Sequence, residues 1–421
     1  MTTPAHGPTN PAGEPRASLS SNVCGTCHGE PLRHARFQQW QLSGHANYEL
    51  AIDESESGSC SRCHTANGFL TWLPVLDGDE PGDPLDDIEV TWTADESHPQ
   101  TCVTCHDPHM SGTTSGNDTN ATVRISGNTP PLIAGFTAFG VGRGAICMTC
   151  HNSRRGLRNE STWPDYAGTS EAARAPHGSA QTDMLMGQNA YLIATGIRGG
   201  HSFATDTCVQ CHMEQTPPPD DLAYNQSGSN HTFFARADIC VECHGASLDG
   251  EFIQNSAQET MNYLQGQIEV ALFELIEQQT DLGNKIDLNG DATITDADDI
   301  MSIEFGESRG RQAMTVTFTD ASVVGPVRMP DVDVLDAGDV VLGTLYDFAD
   351  DSLPKAGWNW ALVHNDGSRG VHNPTFAFTA LEAGIAALGG SGPSAATAPV
   401  DWRPIVELGF GARQSIAPKK R

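Results

Sequence analysis

The chain has 421 residues, and its 53 Asp and Glu against 23 Lys and Arg give a formal net charge of -30 at pH 7. A polyanion repels the phosphates of nucleic acids and of anionic lipid headgroups, so neither is an expected partner. No apolar run approaches the roughly 20 residues of a transmembrane helix, and no transmembrane segment is predicted.

The first 21 residues are polar and rich in Pro, Gly, Ser and Thr, which predicts a disordered leader. The region that follows, residues 22–250, contains six C-x-x-C-H motifs that use all 12 cysteines of the chain. The motif cysteines are Cys24, Cys27, Cys60, Cys63, Cys102, Cys105, Cys147, Cys150, Cys208, Cys211, Cys240 and Cys243. The histidines that end the motifs are His28, His64, His106, His151, His212 and His244.

The histidine after every cysteine pair decides between three chemistries. Disulfides and zinc knuckles use cysteine pairs, but neither requires the next residue to be His. C-x-x-C-H is the attachment signature of c-type haem, in which two thiols add to the vinyl groups and the histidine ligates the iron. The sequence therefore predicts six haem c groups, with these six histidines as proximal ligands.

The motifs also predict a location. Haem of this kind is attached outside the cytoplasm, so the periplasm or the cell surface is expected. The leader lacks the apolar stretch of a secretory signal peptide. We therefore expect the signal peptide to be absent from the given chain.

The sixth coordination position of each iron can take His, take Met or stay open for a substrate. Seven further histidines are candidate distal ligands, namely His45, His98, His109, His177, His201, His231 and His372. The number of candidate histidines favours two histidine ligands on most of the six irons. His34 and His364 are weaker candidates, and methionines near the motifs are interpreted as packing against porphyrin.

His109 follows its own motif by only three residues, too close to share an iron with His106. It is expected either to reach a neighbouring haem or to be a surface histidine. The irregular spacing of the motifs excludes a fixed-period repeat. The stretches 77–87 and 111–131 have loop composition. We predict a mainly α fold with much irregular structure, organised around six covalent haems.

The C-terminal region, residues 251–421, contains no motif. Apolar residues at helical spacing predict a long helix over 252–280. Val- and Thr-rich segments predict a small β-containing insertion near 310–350. A helical stretch over about 354–388 would return His372 to the haems.

An acidic loop at 287–298 has the ligand spacing of an EF-type calcium site. The candidate ligands are Asp287, Asn289, Asp291, Thr293, Thr295 and Asp298. Position 6 is Ala292 rather than Gly, and position 12 is Asp rather than Glu. The loop is interpreted as a structural Ca²⁺ site, with an acidic solvated turn as the alternative.

The first section of the chain resembles the multihaem cytochromes c that include the four-haem cytochrome of ammonia oxidisers. The resemblance rests on "CGTCHGEPLRHARFQQWQLSGHANYELA", where Trp40, Ser43, His45 and Ala46 match a Trp-x-x-Ser-x-His-Ala pattern. It implies that His45 is a distal ligand.

The segment "NDGSRGVHNPTFA" resembles the late helical segment of cytochrome c nitrite reductases and their octahaem relatives, such as hydroxylamine oxidoreductase. There the histidine of Gly-x-His-Asn-Pro ligates a distal site, which implies the same role for His372. The resemblance covers residues 22–245 and 355–390. The reductases typically have Lys in place of His in one motif, whereas all six motifs here end in His.

Two functions are compatible with these residues. One is an electron carrier with mostly bis-histidine haems, whose partners are redox proteins or identical subunits. The other is an oxidoreductase that acts on a small nitrogen or sulfur compound at one five-coordinate haem. Arg154, Arg155 and Arg158 would either serve an anion in such a pocket or pair with haem propionates. The histidine supply favours the carrier.

Overall fold

The computed structural model describes residues 20–29, 35–107, 123–216, 228–245, 250–288, 294–295 and 297–390. Within these ranges the chain forms thirteen α-helices and nine short strands. The helices are α1 Ser21–His28, α2 Arg36–Gln41, α3 Tyr48–Ser55, α4 Gly58–His64, α5 Ala66–Asp77, α6 Cys102–Cys105, α7 Gly144–Cys150, α8 Gln181–Met186, α9 Cys208–His212, α10 Cys240–His244, α11 Gly250–Asp281, α12 Ser352–Asp366 and α13 Pro374–Ala387.

The strands are β1 Gln215–Thr216, β2 Gly228–Ser229, β3 Lys285–Asp287, β4 Ile294–Thr295, β5 Ile300–Ser308, β6 Arg311–Phe318, β7 Val323–Arg328, β8 Asp333–Leu335 and β9 Val341–Thr344. Single turns of 3₁₀-helix lie at Gly44–Ala46, Trp163–Asp165, Gly200–Phe203, Ala237–Ile239, Ala297–Asp299, Met329–Asp331 and Leu345–Phe348. No helix in the described part of the chain is both long and apolar enough to span a membrane.

The chain divides into two compact units. The first comprises residues 1–132, 137–150 and 203–239, and the second comprises residues 133–136, 151–202 and 240–421. The second unit therefore combines the C-terminal region with part of the motif region, and it crosses the boundary at residue 250 that the motif pattern suggested. The reason is packing: the Asn365 side chain donates to the Pro176 carbonyl, and the Trp358 indole donates to the Asn189 carbonyl.

In the first unit, short helices carry the cysteine pairs of five motifs, and α5 contributes a buried apolar face. The Thr65 side chain caps α5 by accepting from the Gly68 N–H, and Gly78 ends it in the left-handed conformation. Phe69 and Trp72 are buried on its inner face. Their burial stabilises the unit by about 1.5–3 kcal/mol per side chain.

In the second unit, α11 is the predicted long helix, and its existence is confirmed. Its 32 residues make it about 48 Å long. Its buried positions recur every three or four residues at Leu264, Ile268, Leu272 and Ile276, so one stripe faces the core. This stripe belongs to a single apolar cluster with side chains of α12, α13, β5 and β6.

The strands of the second unit form two antiparallel sheets. One has the order β4-β3-β8-β9 and the other β5-β6-β7. The β region starts at Lys285 rather than near 310 as predicted, because β3 pairs with β8 and places Ile286 opposite Val334. A strand of three residues carries too few β-branched side chains for a pattern to reveal it.

Candidate haem sites

Each motif in the sequence forms a short helix, α1, α4, α6, α7, α9 or α10. Cysteines at i and i+3 of a helix lie on the same face, and the following histidine ends or caps the helix. In α6, the Thr104 hydroxyl accepts from the Thr101 N–H at 3.1 Å, and the Thr104 N–H donates to the Thr101 carbonyl at 3.0 Å. These two bonds fix a single turn that carries Cys102 and Cys105. The side chain of Cys27 lies outside the described residues.

Cysteines of different motifs meet in the first unit. Cys24 is hydrogen-bonded to Cys102, whose pKa falls to about 6 mainly through this bond. Cys208 is hydrogen-bonded to Cys147 and raises its pKa; burial and the charge of Cys105 act in the same direction. The first cysteines of motifs one and three, and of motifs four and five, are therefore in contact.

Two pairs of histidine rings lie at a separation that bears on metal binding. The ring centroids of His106 and His231 lie 6.2 Å apart in the first unit. Those of His201 and His244 lie 5.9 Å apart in the second unit. Two imidazoles that bind one metal from opposite sides, each at a metal–nitrogen distance of about 2 Å, place their centroids about 6 Å apart. Both pairs thus have the spacing of a bis-histidine metal site.

The Nδ1 atoms of six candidate ligands lie within hydrogen-bonding distance of an acceptor. The pairs are His151 with Gln181 Oε1 at 3.1 Å, His177 with Ser179 Oγ at 2.9 Å, His201 with the Val371 carbonyl at 2.9 Å, His212 with the Phe233 carbonyl at 3.0 Å, His231 with the Ser229 carbonyl at 3.0 Å, and His372 with Asp366 Oδ1 at 2.5 Å. An imidazole that donates from Nδ1 presents Nε2 to a metal. Sequence reasoning missed these acceptors, since no local pattern identifies them.

Burial keeps two of these imidazoles neutral. It lowers the pKa of His231 to about 4, outweighing the hydrogen bond to the Ser229 carbonyl. It also lowers the pKa of His201. A neutral imidazole is the form that binds a metal.

The remaining candidate ligands have other surroundings. The His45 ring packs edge-on against Phe233, with centroids 4.6 Å apart. The backbone N–H of His98 donates to Asn67 Oδ1, and the His98 carbonyl accepts from the Ala66 N–H. These two bonds hold the His98 backbone against the start of α5. His364 stacks on Trp360 at 4.9 Å on an exposed part of α12. His109 and His34 lie outside the described residues.

Arg158 does not have the position expected of an anion or propionate ligand. Its side chain is 2% exposed, and its Nη2 donates to Glu171 Oε2 at 3.0 Å. Its guanidinium also lies 3.6 Å from the centre of the Tyr166 ring and donates to two backbone carbonyls. These contacts use the guanidinium for packing within the second unit.

Only part of the calcium-like loop lies within the described residues. Asp287 is buried in β3, directly opposite Ile294 and Asp333, and Asp298 is exposed in a 3₁₀ turn. Thr295 pairs with Ile286, but its side chain, like Asn289, Asp291 and Thr293, lies outside the described residues. No group of three or more acidic, His or Cys side chains with metal-binding geometry occurs in the described part.

Motif helices that present paired thiols, imidazole pairs at bis-ligand spacing, and imidazoles oriented through Nδ1 all fit covalently bound haem c. Together with the six motifs, they define a multihaem c-type cytochrome. Known proteins agree with this class. The chain is 25% identical over 233 residues to the C-type polyheme cytochrome OmcB of Geobacter sulfurreducens. That match covers 46% of this chain and 30% of the relative, so the chain corresponds to less than a third of it.

Solved structures with similar arrangements are more distant. The outer cell wall cytochrome OcwA is 16% identical, with a TM-score of 0.44 over 85% of this chain and 51% of that chain. An undecaheme cytochrome from the S-layer of Carboxydothermus ferrireducens is also 16% identical, with a TM-score of 0.45 over 89% and 46%. The cytochrome c nitrite reductase of Desulfovibrio desulfuricans is 13% identical, with a TM-score of 0.42 over 91% and 77%. No family profile matches the chain.

Proposed function

We propose that this protein is an extracytoplasmic electron carrier with six covalent haems, most of them held by two histidines. The observation that carries the proposal is the spacing of His106 from His231 and of His201 from His244. Haem iron supplies one-electron redox chemistry. Imidazoles on both faces leave no position for a small substrate, which favours electron transfer over catalysis.

Each of the two imidazole pairs combines a proximal and a distal candidate. We infer that His231 is the distal partner of His106 and that His201 is the distal partner of His244. The carbonyls of Ser229 and Val371 support this, because they fix the distal rings with Nε2 directed away from the backbone. His45, His98, His109, His177 and His372 are the candidates for the other four sites.

The contacts between cysteines suggest which sites are neighbours. Cys24 meets Cys102, and Cys147 meets Cys208. We infer that the groups attached at motifs one and three would be neighbours, as would those at motifs four and five. Motif three lies near motif four, since the charge of Cys105 affects Cys147. The inferred order through the first unit is therefore one, three, four, five.

The partners follow from the chemistry of a carrier. We propose that redox proteins, including identical subunits, deliver and remove electrons outside the cytoplasm. The charge of -30 favours redox proteins with basic surfaces, and association with such partners should slow as salt rises.

We also propose that one Ca²⁺ is bound at the 287–298 loop. Asp287 and Asp333 face each other across β3 and β8, and the pKa of Asp333 is raised by burial and by the charges of Asp287 and Asp331. A cation near these carboxylates would relieve their repulsion. Its role would be structural.

The experiment is a combination of mass spectrometry and electron paramagnetic resonance on the natively matured protein. We expect a mass increase of six haems and an oxidised spectrum with only low-spin iron. Fewer added haems would reject the count. A high-spin signal that changes on adding nitrite or hydroxylamine would reject the carrier and favour the oxidoreductase.

A further inference from the structure

A buried carboxylate lies beneath the turn that joins α12 to α13. Asp366 ends α12, and its side chain is fully shielded from solvent. Its Oδ1 lies 2.5 Å from Nδ1 of His372, and its Oδ2 accepts from the hydroxyl and the N–H of Ser368. The Ser368 hydroxyl in turn accepts from the His372 N–H at 3.1 Å. The carboxylate and the imidazole are thus held in one fixed geometry.

This acceptor differs in charge from the others. Five of the six histidines described above face a side-chain amide, a hydroxyl or a backbone carbonyl through Nδ1, and all of these acceptors are neutral. The sixth, His372, faces a carboxylate. A carboxylate draws the Nδ1 proton toward itself and makes Nε2 a stronger electron donor to a metal. A stronger donor stabilises ferric over ferrous iron.

We propose that Asp366 is a positioning residue that lowers the reduction potential of the haem ligated by His372, relative to haems whose histidines face neutral acceptors. This inference rests on the proposed function, because it requires His372 to be an axial ligand. It adds a direction to the relay, since the His372 site becomes a low-potential site. Electrons would leave it readily and reach it last.

The same turn also holds other candidate ligands through its backbone. Gln181 Oε1 accepts from His151 Nδ1, and Gln181 Nε2 donates to the Asp366 carbonyl at 2.9 Å. The Val371 carbonyl holds His201. These contacts use backbone atoms of the turn, so replacing the Asp366 carboxylate by an amide leaves them intact. The effect of that replacement should therefore be confined to one haem.

The test is a spectroelectrochemical titration of the haem-loaded Asp366→Asn variant. We expect the midpoint potential of one haem to become more positive by about 59 mV, which is a tenfold change in the ferric–ferrous equilibrium of a one-electron couple. The midpoint potentials of the other haems should not change. Asp351→Asn is the matched control, because Asp351 lies at the other end of α12 and makes no capping bond. An unchanged titration of Asp366→Asn overturns the inference.

Two further variants separate the possible failures. His372→Ala should convert one low-spin iron to high-spin. If all irons stay low-spin, His372 is not a ligand, and both its proposed ligation and the inference are wrong. Ser368→Ala removes a donor to the carboxylate and leaves more negative charge facing His372, so one potential should become more negative. If Asp366→Asn does not mature, this opposite shift decides: its absence overturns the inference.

Discussion

The imidazole planes of His201 and His244 are perpendicular, at 90°, whereas those of His106 and His231 are inclined by only 32°. Both pairs have nearly the same centroid separation, so they differ mainly in relative orientation. Orientation matters because each imidazole interacts with one of the two iron d orbitals that have π symmetry. The two proposed haems should therefore differ in electronic structure.

We expect this difference to appear in electron paramagnetic resonance. Perpendicular rings leave the two d orbitals almost equal in energy, which gives a low-spin signal with a very large maximum g value. Nearly parallel rings split the orbitals and give an ordinary rhombic low-spin signal. The His201→Ala variant should lose a signal of the first kind, and the His231→Ala variant one of the second kind. Loss of the same kind of signal in both variants would contradict the geometry.

Removal of a proposed distal ligand should open one iron and only one. His231→Ala and His201→Ala are each expected to produce a high-spin signal from a single haem and to admit cyanide or carbon monoxide there. Optical titration with these ligands measures the number of open sites. His364→Ala is the matched control, since His364 stacks on Trp360 on an exposed surface. Ligand binding by the control equal to that of the two variants would reject the assignments.

Arg158 is expected to contribute to stability rather than to anion binding. Arg158→Ala removes the stacking on Tyr166 and leaves the Glu171 and Arg155 carbonyls without this donor. We expect a loss of about 2–4 kcal/mol in the free energy of unfolding, measured by denaturant titration of the haem-loaded protein. Arg328→Ala, which breaks an exposed pair with Asp331, should cost less than about 1 kcal/mol. Equal effects of the two variants would contradict this role.

Asp183 predicts a pH dependence of stability. Burial raises its pKa to about 6, although Ser153 and Asn189 donate to it and oppose the shift. Between the ordinary pKa of 3.8 and this value, the unfolded chain ionises while the folded one does not. The contribution of protonated Asp183 to the free energy of unfolding is therefore fully present below the ordinary pKa, and it is lost as the pH rises to about 6. We expect a decrease of roughly 3 kcal/mol over this window.

The Asp183→Asn variant isolates that contribution. Its free energy of unfolding should lack this decrease between about pH 4 and pH 6, because the amide does not titrate. Denaturation curves at several pH values measure the difference from the parent protein. A variant with the parent's pH profile would show that another group is responsible.

Calcium should raise the melting temperature if the 287–298 loop binds it. At a Ca²⁺ concentration 100 times the dissociation constant, the expected gain is about 2.7 kcal/mol. Asp298→Asn should reduce this gain, whereas Asp320→Asn, which changes an exposed Asp in another turn, should not. Differential scanning calorimetry with chelator and with added Ca²⁺ makes the comparison. An identical melting temperature in both conditions would reject the site.

The sequence predicted the structural elements whose signals lie in neighbouring residues. The six motifs form short helices, and the spacing of Leu264, Ile268 and Leu272 identified α11, because both signals are carried by neighbouring residues. The short strand β3 was missed, since its pairing with β8 depends on residues nearly fifty positions away. The start of the β region was wrong for the same reason.

The candidate site shows the same limit. Histidines could be named as ligands from their number and their closeness to motifs. Which histidine faces which, as in His106 and His231, depends on contacts between distant segments and was left open. Asp366 carries no signal as a partner of His372 in the sequence, because the turn that brings them together is formed by the packing of α12 and α13.

The apolar cluster of α11, α12, α13, β5 and β6 lies mostly within residues 251–421, which contain no C-x-x-C-H motif. We therefore expect its folding to depend less on haem attachment than the folding of the motif-bearing segments. His372, just before α13, would then be in place while the motif cysteines are still free. Limited proteolysis of the haem-free protein should cut the motif-bearing segments before this cluster.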